Sequence, residues 1–269
     1  MAELVFIGLG LHDERDISLR GLLDAQEAEE VFMELYTSLM TGLRIDKLGQ
    51  LIGRKITLVN RKTLEDENGT PILHAAKRGK TVFLVPGDPM IATTHIDLRL
   101  RAEEHGISTR IVHGATIISA ACGVTGLQNY KFGRSVTIPF PFKDCPSERP
   151  YDVIVHNLDE GLHTLCFLDL DAEEKRYLSV KEALEGLLTV GKKKQEDKII
   201  EDALAVGLAR LGSPDQVVKA EAIKRLKKHK FGGPPHTLIF PGDLHFMETE
   251  ALIALADAPT RIRRKPNET

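Results

Sequence analysis

The chain has 269 residues, of which 42% are hydrophobic and 28% are charged, and its formal net charge is −3. This length suits one large domain or two small ones, and the apolar content is sufficient for a full core. The near-neutral charge gives no reason to expect nucleic acid or an anionic membrane as a partner.

Cysteine usage and hydropathy predict a cytoplasmic protein without a membrane partner. The three cysteines are odd in number and include no CxxC pair, which argues against a disulfide scaffold and a structural zinc site. The first apolar run, residues 4–11, has no basic segment before it and no cleavage site after it, so a strand is predicted rather than a signal peptide. No apolar run reaches the roughly 20 residues that a membrane span needs.

The first 110 residues alternate predicted strands and helices. The predicted strands are 4–8, 31–36, 56–59, 81–85 and 110–113, and the predicted helices are 19–28, 45–52, 71–77 and 92–105. Ser18 is a candidate N-cap, and Gly53 and Gly106 are candidate helix ends. Short apolar strands separated by helices indicate a parallel sheet that is covered on both faces.

The pattern changes from Gly114 onward. The predicted strands are 135–139, 164–170, 203–209 and 236–240, with a possible strand at 216–219, and the predicted helices are 117–124, 151–161, 179–190, 221–230 and 246–256. The basic, polar segment 191–197 is expected to be exposed. The fold class predicted from both halves is α/β, with two α/β domains at residues 1–112 and 113–269.

The most constrained turn follows the predicted strand 81–85 and reads Pro86-Gly87-Asp88-Pro89. Its two prolines restrict φ, its glycine permits positive φ, and Asp88 is its one charged group. Ligands of open α/β sheets bind where strands end, but these residues also make good turns. The sequence therefore leaves both a ligand site and a structural turn open, and the tripeptide recurs at 241–243.

Common phosphate and metal motifs are absent from the sequence. Gly8-Leu9-Gly10 begins like a dinucleotide fingerprint, but Asp13 occupies the position of the third glycine, where its carboxylate would oppose a pyrophosphate. There is no P-loop, HExxH or GxSxG motif. None of the ten histidines lies at i, i+4 from another on one predicted helix, so no metal site is predicted. An α/β sheet with glycine turns but without phosphate or metal motifs suits a ligand that has no phosphate, such as S-adenosylmethionine. Composition alone does not select this ligand.

Six segments together resemble the diphthine synthase family, in order and through nearly the whole chain. They are FIGLGLHDERDISLRG at 6–21, ELYTSLM at 34–40, VPGDPMIATTHIDLRLRAEEHGI at 85–107, HGATIISAACGVTGLQNYKFGRS at 113–135, GLHTLCFLDL at 161–170 and PPHTLIFPGDLH at 234–245. The resemblance implies the tetrapyrrole-methylase fold (class III methyltransferase), in which two α/β domains hold the cofactor in the cleft between them.

The resemblance also implies the reaction. It implies methyl transfer from S-adenosylmethionine, which becomes S-adenosylhomocysteine, to translation elongation factor 2. The acceptor is the amino nitrogen of a 3-carboxy-3-aminopropyl group on a histidine, and repeated methylation gives diphthine in diphthamide biosynthesis. Members of the family are homodimers, so a homodimer is expected.

Family cofactor contacts carry over, position by position, to a set of mostly apolar residues. The expected contacts are Leu11, Asp88, Ile91, Thr116, Ile117, Leu168, Leu211 and His236. Asp88 is expected to orient the cofactor by hydrogen bonding. Backbone contacts, with ordinary packing as the alternative, are expected of Leu11, Ile91, Thr116, Ile117 and Leu168. Thr116 stands where other members carry serine, and either hydroxyl can serve. His236 could hydrogen-bond the adenosine or cap its strand, and both roles stay open.

No catalytic residue is named from the sequence. A sulfonium methyl is already activated, and a free α-amino group has a pKa of about 8, so no strong general base is required. Two other functions remain open, a methyltransferase of the same fold acting on a tetrapyrrole or other small molecule, and a non-catalytic binding module. The tetrapyrrole substrate is disfavoured because the loop after the first predicted strand reads GLGLHDERD at 8–16. The relatives that methylate tetrapyrroles carry GxGPGD there.

Overall fold

The computed structural model describes residues 1–172 and 174–263, and these form two compact units. The first unit comprises Met1–Ile117 together with Ala172 and Glu174, and the second comprises Ile118–Asp171 and the described residues from Lys175 onward. Within the described residues, no helix is both long and apolar enough to cross a membrane.

The first unit is built on a five-stranded parallel sheet. Its elements are β1 (Glu3–Gly8), α1 (Leu19–Gln26), β2 (Glu30–Glu34), α2 (Ile45–Ile52), β3 (Ile56–Val59), α3 (Arg61–Glu65), α4 (Thr70–Arg78), β4 (Lys80–Val85), α5 (His95–Glu104) and β5 (Ser108–Val112), with a short 3-10 helix at Glu14–Asp16. The strand order is β3-β2-β4-β1-β5, and all four neighbouring pairs are parallel.

The two central strands are buried on both faces. Phe6 and Phe83 belong to one buried cluster, and Val5 and Leu84 belong to another, as the two-residue period of a strand requires. Both strands carry apolar side chains on both faces over most of their length, which is the pattern of a sheet covered by helices on both sides. The prediction of a parallel sheet covered on both faces is confirmed.

The ends of the predicted helices follow the expected capping chemistry. The Ser18 side chain accepts a hydrogen bond from the Gly21 N–H at 3.1 Å and begins α1. Gly53 ends α2 with a φ of +70°, a conformation that favours glycine. The short helix α3 was not predicted, and Asn60 caps its first turn through the Thr63 N–H.

The second unit is built on a mixed five-stranded sheet. Its elements are α6 (Ile117–Thr125), β6 (Val136–Ile138), α7 (Arg149–Asp159), β7 (Thr164–Leu168), β8 (Leu170–Asp171), β9 (Arg176–Tyr177), α8 (Val180–Lys194), β10 (Leu204–Ala209), β11 (Val217–Ala222), α9 (Ile223–Leu226), β12 (His236–Phe240) and α10 (Phe246–Leu255), with 3-10 helices at Asn129–Lys131 and Thr260–Ile262. The order is β11-β10-β12-β7-β6, and only β6 and β7 pair in parallel.

The predicted helix at 221–230 is wrong. Residues 217–222 continue a β-ladder in which Ala222 pairs with Leu204, and α9 then lasts only one turn. The four residues that follow α9 are Lys-Lys-His-Lys, and like charges this close disfavour a longer helix. Helix α8, in contrast, runs past its predicted end to Lys194, because the three lysines of 192–194 lie in its last turn, where cations suit the helix dipole.

Candidate functional site

The carboxyl ends of three adjacent strands meet at one edge of the first sheet. Gly87 donates its N–H to the Gly10 carbonyl at 2.7 Å, which joins the loops after β4 and β1. A Cβ on Gly8 would lie 2.6 Å from the Gly114 nitrogen, so the loop after β5 also packs backbone against backbone. The close approach requires glycine at these positions. The three loops therefore form one continuous backbone surface.

Gly87 provides the open side of this surface. Its φ is +70°, and no atom lies within 4 Å of the position where a Cβ would be built. A ligand can therefore approach the backbone of the turn from this side without meeting a side chain of the protein.

Asp88 ties the turn to the end of β5. Its side chain is 6% exposed, and its Oδ1 accepts the Met90 N–H at 3.0 Å. Its Oδ2 lies 2.7 Å from His113 Nδ1 and accepts the Gly114 N–H at 3.4 Å. A carboxylate offers about four acceptor sites, so the carboxylate shapes the turn and keeps capacity for a further donor.

Leu11 and Ile91 lie in the joined loops that follow β1 and β4, and both are half-buried. The Leu11 N–H is donated to Asp16 Oδ2 at 3.1 Å, and the Ile91 N–H to the Asp88 carbonyl at 3.3 Å. With these N–H groups engaged, the carbonyl oxygens and side chains of the two residues are the groups that remain for a ligand.

Five of the expected contacts share this edge of the first unit. Thr116 and Ile117 follow Gly114 by two and three residues, are half-buried, and lead into α6. The five residues on loops that follow β1, β4 and β5 are Leu11, Asp88, Ile91, Thr116 and Ile117.

The other three expected contacts share one edge of the second sheet. Leu168 ends β7, Leu211 follows β10, and His236 begins β12. The antiparallel pairs Ala209–His236 and Phe167–Thr237 bring these strand ends together. The structure thus gathers the eight residues into two sets, one in each unit.

His236 is a neutral imidazole in the second set, because burial lowers its pKa. Both of its ring nitrogens are buried, and neither has a hydrogen-bond partner among the described residues. The loop before it is held by Arg210, whose Nη1 donates to the Phe231 carbonyl at 2.8 Å and whose Nη2 donates to the Asp215 carbonyl at 2.8 Å. Sequence reasoning missed this supporting role of Arg210.

A buried pair of side chains lies against the first turn. His95 is 1% exposed, and its Nδ1 donates to the Pro89 carbonyl at 3.2 Å. Its Nε2 is 3.9 Å from Oε1 of the fully buried Glu34, at the end of β2. Burial lowers the pKa of His95 to about 4 and raises that of Glu34, so the imidazole is neutral at physiological pH. His95 and the Thr93 hydroxyl, which donates to the same oxygen at 2.8 Å, hold the Pro89 carbonyl of the turn.

His113 was not among the expected site residues. It directly follows β5, its side chain is 74% exposed, and it makes the 2.7 Å contact with the buried Asp88 carboxylate. The sequence signal that could have identified it is a histidine placed immediately after a strand of the predicted parallel sheet.

The second Pro-Gly-Asp turn, at 241–243, has a different environment. A Cβ on Gly242 would lie 2.5 Å from the Gly161 carbonyl oxygen, and the Gly242 N–H donates to His163 Nδ1 at 2.9 Å. Asp243 is exposed, whereas Asp88 is buried. Only the first turn therefore combines an open side with a buried carboxylate.

Comparison with known proteins gives the class of the chain. Residues 3–227 match the family described as Tetrapyrrole (Corrin/Porphyrin) Methylases, whose members are methyltransferases. A diphthine synthase of Methanocella arvoryzae is 49% identical over 94% of this chain and 98% of its own length. One of Methanosarcina barkeri is 50% identical over 95% of this chain and 97% of its own.

Comparison with solved structures gives the same result as comparison of sequences. A crystal structure of diphthine synthase matches with a TM-score of 0.88 and 41% identity, covering 97% of this chain and 98% of that one. The chain belongs to the tetrapyrrole methylase family and, within it, to the diphthine synthases. The resemblance carried by the six sequence segments and the predicted methyltransferase class are confirmed.

Proposed function

We propose that this protein transfers methyl groups from S-adenosylmethionine to the 3-carboxy-3-aminopropyl-histidine of translation elongation factor 2. The acceptor is the amino nitrogen, and the product belongs to diphthamide biosynthesis. The observation that carries the proposal is identity of about one half to diphthine synthases over nearly the full length of both chains.

The loops of the first unit fit a methyl donor of this kind. S-adenosylmethionine carries no phosphate, and it supplies a methyl group that its positive sulfur has already activated. Gly87 leaves space beside the backbone, and Asp88 keeps an acceptor site for a ligand hydroxyl or ammonium group. The residues that would hold the donor are Leu11, Asp88, Ile91, Thr116 and Ile117 in the first unit, and Leu168, Leu211 and His236 in the second.

The main task of the chain is positioning. Orientation of two reactants supplies about 7–11 kcal/mol of barrier reduction when the geometry is held rigidly. Rigidity comes from the Asp88 bonds to Met90 and His113, and from the His95 bond to the Pro89 carbonyl. These contacts fix the first turn before a ligand binds, so little ordering cost remains for the binding step.

The expected partner, assembly and compartment belong to the same proposal. Elongation factor 2 is the protein substrate, and the enzyme acts as a homodimer in the cytoplasm. The free state of Cys122, Cys145 and Cys166 supports a reducing compartment.

A transfer assay tests the proposed function. Protein is incubated with methyl-labelled S-adenosylmethionine and elongation factor 2 that carries the aminocarboxypropyl-histidine, and cofactor binding is measured separately by calorimetry. The matched control is the same factor with an unmodified histidine, and a porphyrin precursor is the competing substrate. We expect label on the modified factor alone. Label only on the precursor, or no label although the cofactor binds, would overturn the proposal.

A further inference from the structure

His113 and Asp88 form a hydrogen-bonded pair at the strand ends of the first sheet. Asp88 is 6% exposed, whereas the side chain of His113 is 74% exposed, and Nδ1 and Oδ2 are 2.7 Å apart. The Gly114 N–H also points to Oδ2, at 3.4 Å, so the backbone beside His113 is held as well. An exposed imidazole is thus anchored on one edge by a buried carboxylate.

This geometry sets the tautomer of the ring. A carboxylate can only accept a hydrogen bond, so Nδ1 of His113 carries the proton of the 2.7 Å contact. In a neutral ring Nε2 is then an unprotonated acceptor, on the edge that faces away from Asp88. Proteins fix an imidazole for proton transfer in the same way, with one ring nitrogen bonded to a buried carboxylate and the other free to take the proton.

His113 also lies beside the open side of the turn. It precedes Gly114, where a Cβ would lie 2.8 Å from the Gly8 carbonyl carbon and would contact the Gly87 carbonyl oxygen. Gly87 itself has open space where a side chain would begin. The His113 ring is therefore bonded to Asp88 and attached to backbone that packs against Gly8 and Gly87, at the surface where we propose that the reactants meet.

The proposed reaction has a proton to remove. A primary amine that attacks carbon must first be neutral, whereas a free α-amino group with a pKa of about 8 is mostly protonated at neutral pH. Each methylation adds a bond to nitrogen and releases one proton. Imidazole is the side chain that most often serves as the acceptor of such a proton.

We propose that His113 is the general base of methyl transfer, an inference that rests on the proposed function. Nε2 takes a proton from the substrate ammonium, which leaves a neutral amine and an imidazolium. The nitrogen lone pair forms the new N–C bond while the C–S bond breaks, and its electron pair stays on sulfur as a neutral thioether. The imidazolium, stabilised by Asp88, returns its proton to water, which its exposed ring can reach.

The test compares His113→Ala with His74→Ala, a matched exposed histidine on α4. Loss of a general base lowers kcat by about 100-fold or more. We expect this loss in His113→Ala, with an unchanged calorimetric affinity for S-adenosylmethionine and partial recovery of the rate when imidazole is added. We expect His74→Ala to match the wild type and to show no response to imidazole.

Nitrogen NMR of the ligand-free protein gives a readout besides activity. The histidine signal that disappears in His113→Ala should belong to a ring protonated on Nδ1, and Asp88→Asn should shift it. Wild-type turnover by His113→Ala, or a rate loss that imidazole does not rescue and that parallels lost cofactor affinity, would overturn the inference alone. If the wild-type protein transfers no methyl to the modified factor, the proposed function fails and the inference fails with it.

Discussion

Gly87 adopts a positive φ in the turn that carries the buried Asp88. Gly53 and Gly106 share its φ of +70° and its lack of any atom within 4 Å of a built Cβ, but they only end helices. Alanine at each position would be strained by about 1–2 kcal/mol, because L residues avoid this region. Comparing alanine at the three positions therefore separates the effect of backbone strain from the effect of a lost ligand contact.

We expect Gly87→Ala to lose cofactor affinity beyond this shared loss of stability, since its new methyl group points into the open side of the site. Gly53→Ala and Gly106→Ala should lose a similar free energy of unfolding and keep wild-type affinity. Urea denaturation and calorimetry measure the two quantities. Wild-type affinity in Gly87→Ala would show that the ligand does not approach the turn at this point.

His95 gives a prediction about pH. Burial depresses its folded pKa from 6.5 to about 4, so the unfolded state binds more protons between these values. Its contribution to stability is complete above pH 6.5 and is lost as the pH falls toward about 4. The raised pKa of Glu34 acts in the opposite direction. In His95→Phe this loss on acidification should be absent. At neutral pH the Pro89 carbonyl keeps the Thr93 hydroxyl at 2.8 Å and loses only the imidazole, which should cost about 0.5–1.5 kcal/mol.

Thermal unfolding of wild type and His95→Phe across this pH range measures the effect. Glu34 is present in both proteins, so the difference between their stabilities isolates His95. On acidification the wild type should lose about 3 kcal/mol relative to His95→Phe, so the variant should become the more stable of the two at low pH. A difference that does not change with pH would mean that His95 is not a buried neutral group.

The chemistry of the first turn was readable in the sequence at the residue scale, but its partners were not. The strand, prolines and glycine around Asp88 predicted a constrained turn at a strand end. The bond from Asp88 to His113 spans 25 positions in the chain, and the contact of His95 with Glu34 joins different elements. Such pairs are set by which strands lie side by side, so local patterns cannot supply them.

At the scale of elements, helix α10 depends on a buried carboxylate at its start. Glu248 is fully buried and accepts hydrogen bonds from Lys131 Nζ at 2.6 Å, His163 Nε2 at 2.9 Å, and the backbone N–H groups of Gln128 at 2.8 Å and His245 at 2.9 Å. Burial alone would raise its pKa, but these hydrogen bonds lower it to about 2. The network joins α10 to the loops that hold the second Pro-Gly-Asp turn.

We expect Glu248→Gln to cost on the order of 3 kcal/mol of unfolding free energy, because it leaves a partly buried ammonium without its counter-charge. The wild-type contribution is complete above pH 4.5 and is lost as the pH falls toward about 2. Glu250→Gln on the same helix breaks only the exposed pair with Arg263 and should change stability by less than about 1 kcal/mol. Equal effects of the two substitutions in chemical denaturation would contradict the buried network.

The predicted bounds of an element were correct where a glycine or proline marks its end. Helix α2 lies between a loop and Gly53, and β12 follows two prolines, and both have the predicted bounds. The failure at 221–230 has a non-local cause, since the pairing of Ala222 with Leu204 extends β11 at the expense of the helix. Helical propensity is a weak preference that sheet pairing overrides.

At the scale of the whole molecule, five of the expected contacts lie at the sheet edge of the first unit and three at that of the second. The sequence predicted two α/β domains because the alternation of apolar strands and helices is visible along the chain. It did not predict that the second sheet would be mostly antiparallel, since short strands of 5–6 residues look alike in either arrangement.

The most direct measurement is tandem mass spectrometry of elongation factor 2 before and after incubation with this protein and S-adenosylmethionine. We expect the peptide with the modified histidine to gain whole methyl increments, and fragmentation to place them on the amino nitrogen of the aminocarboxypropyl group. The same peptide with an unmodified histidine should gain none. Methyl groups located on another residue, or on the unmodified peptide, would contradict the proposed function.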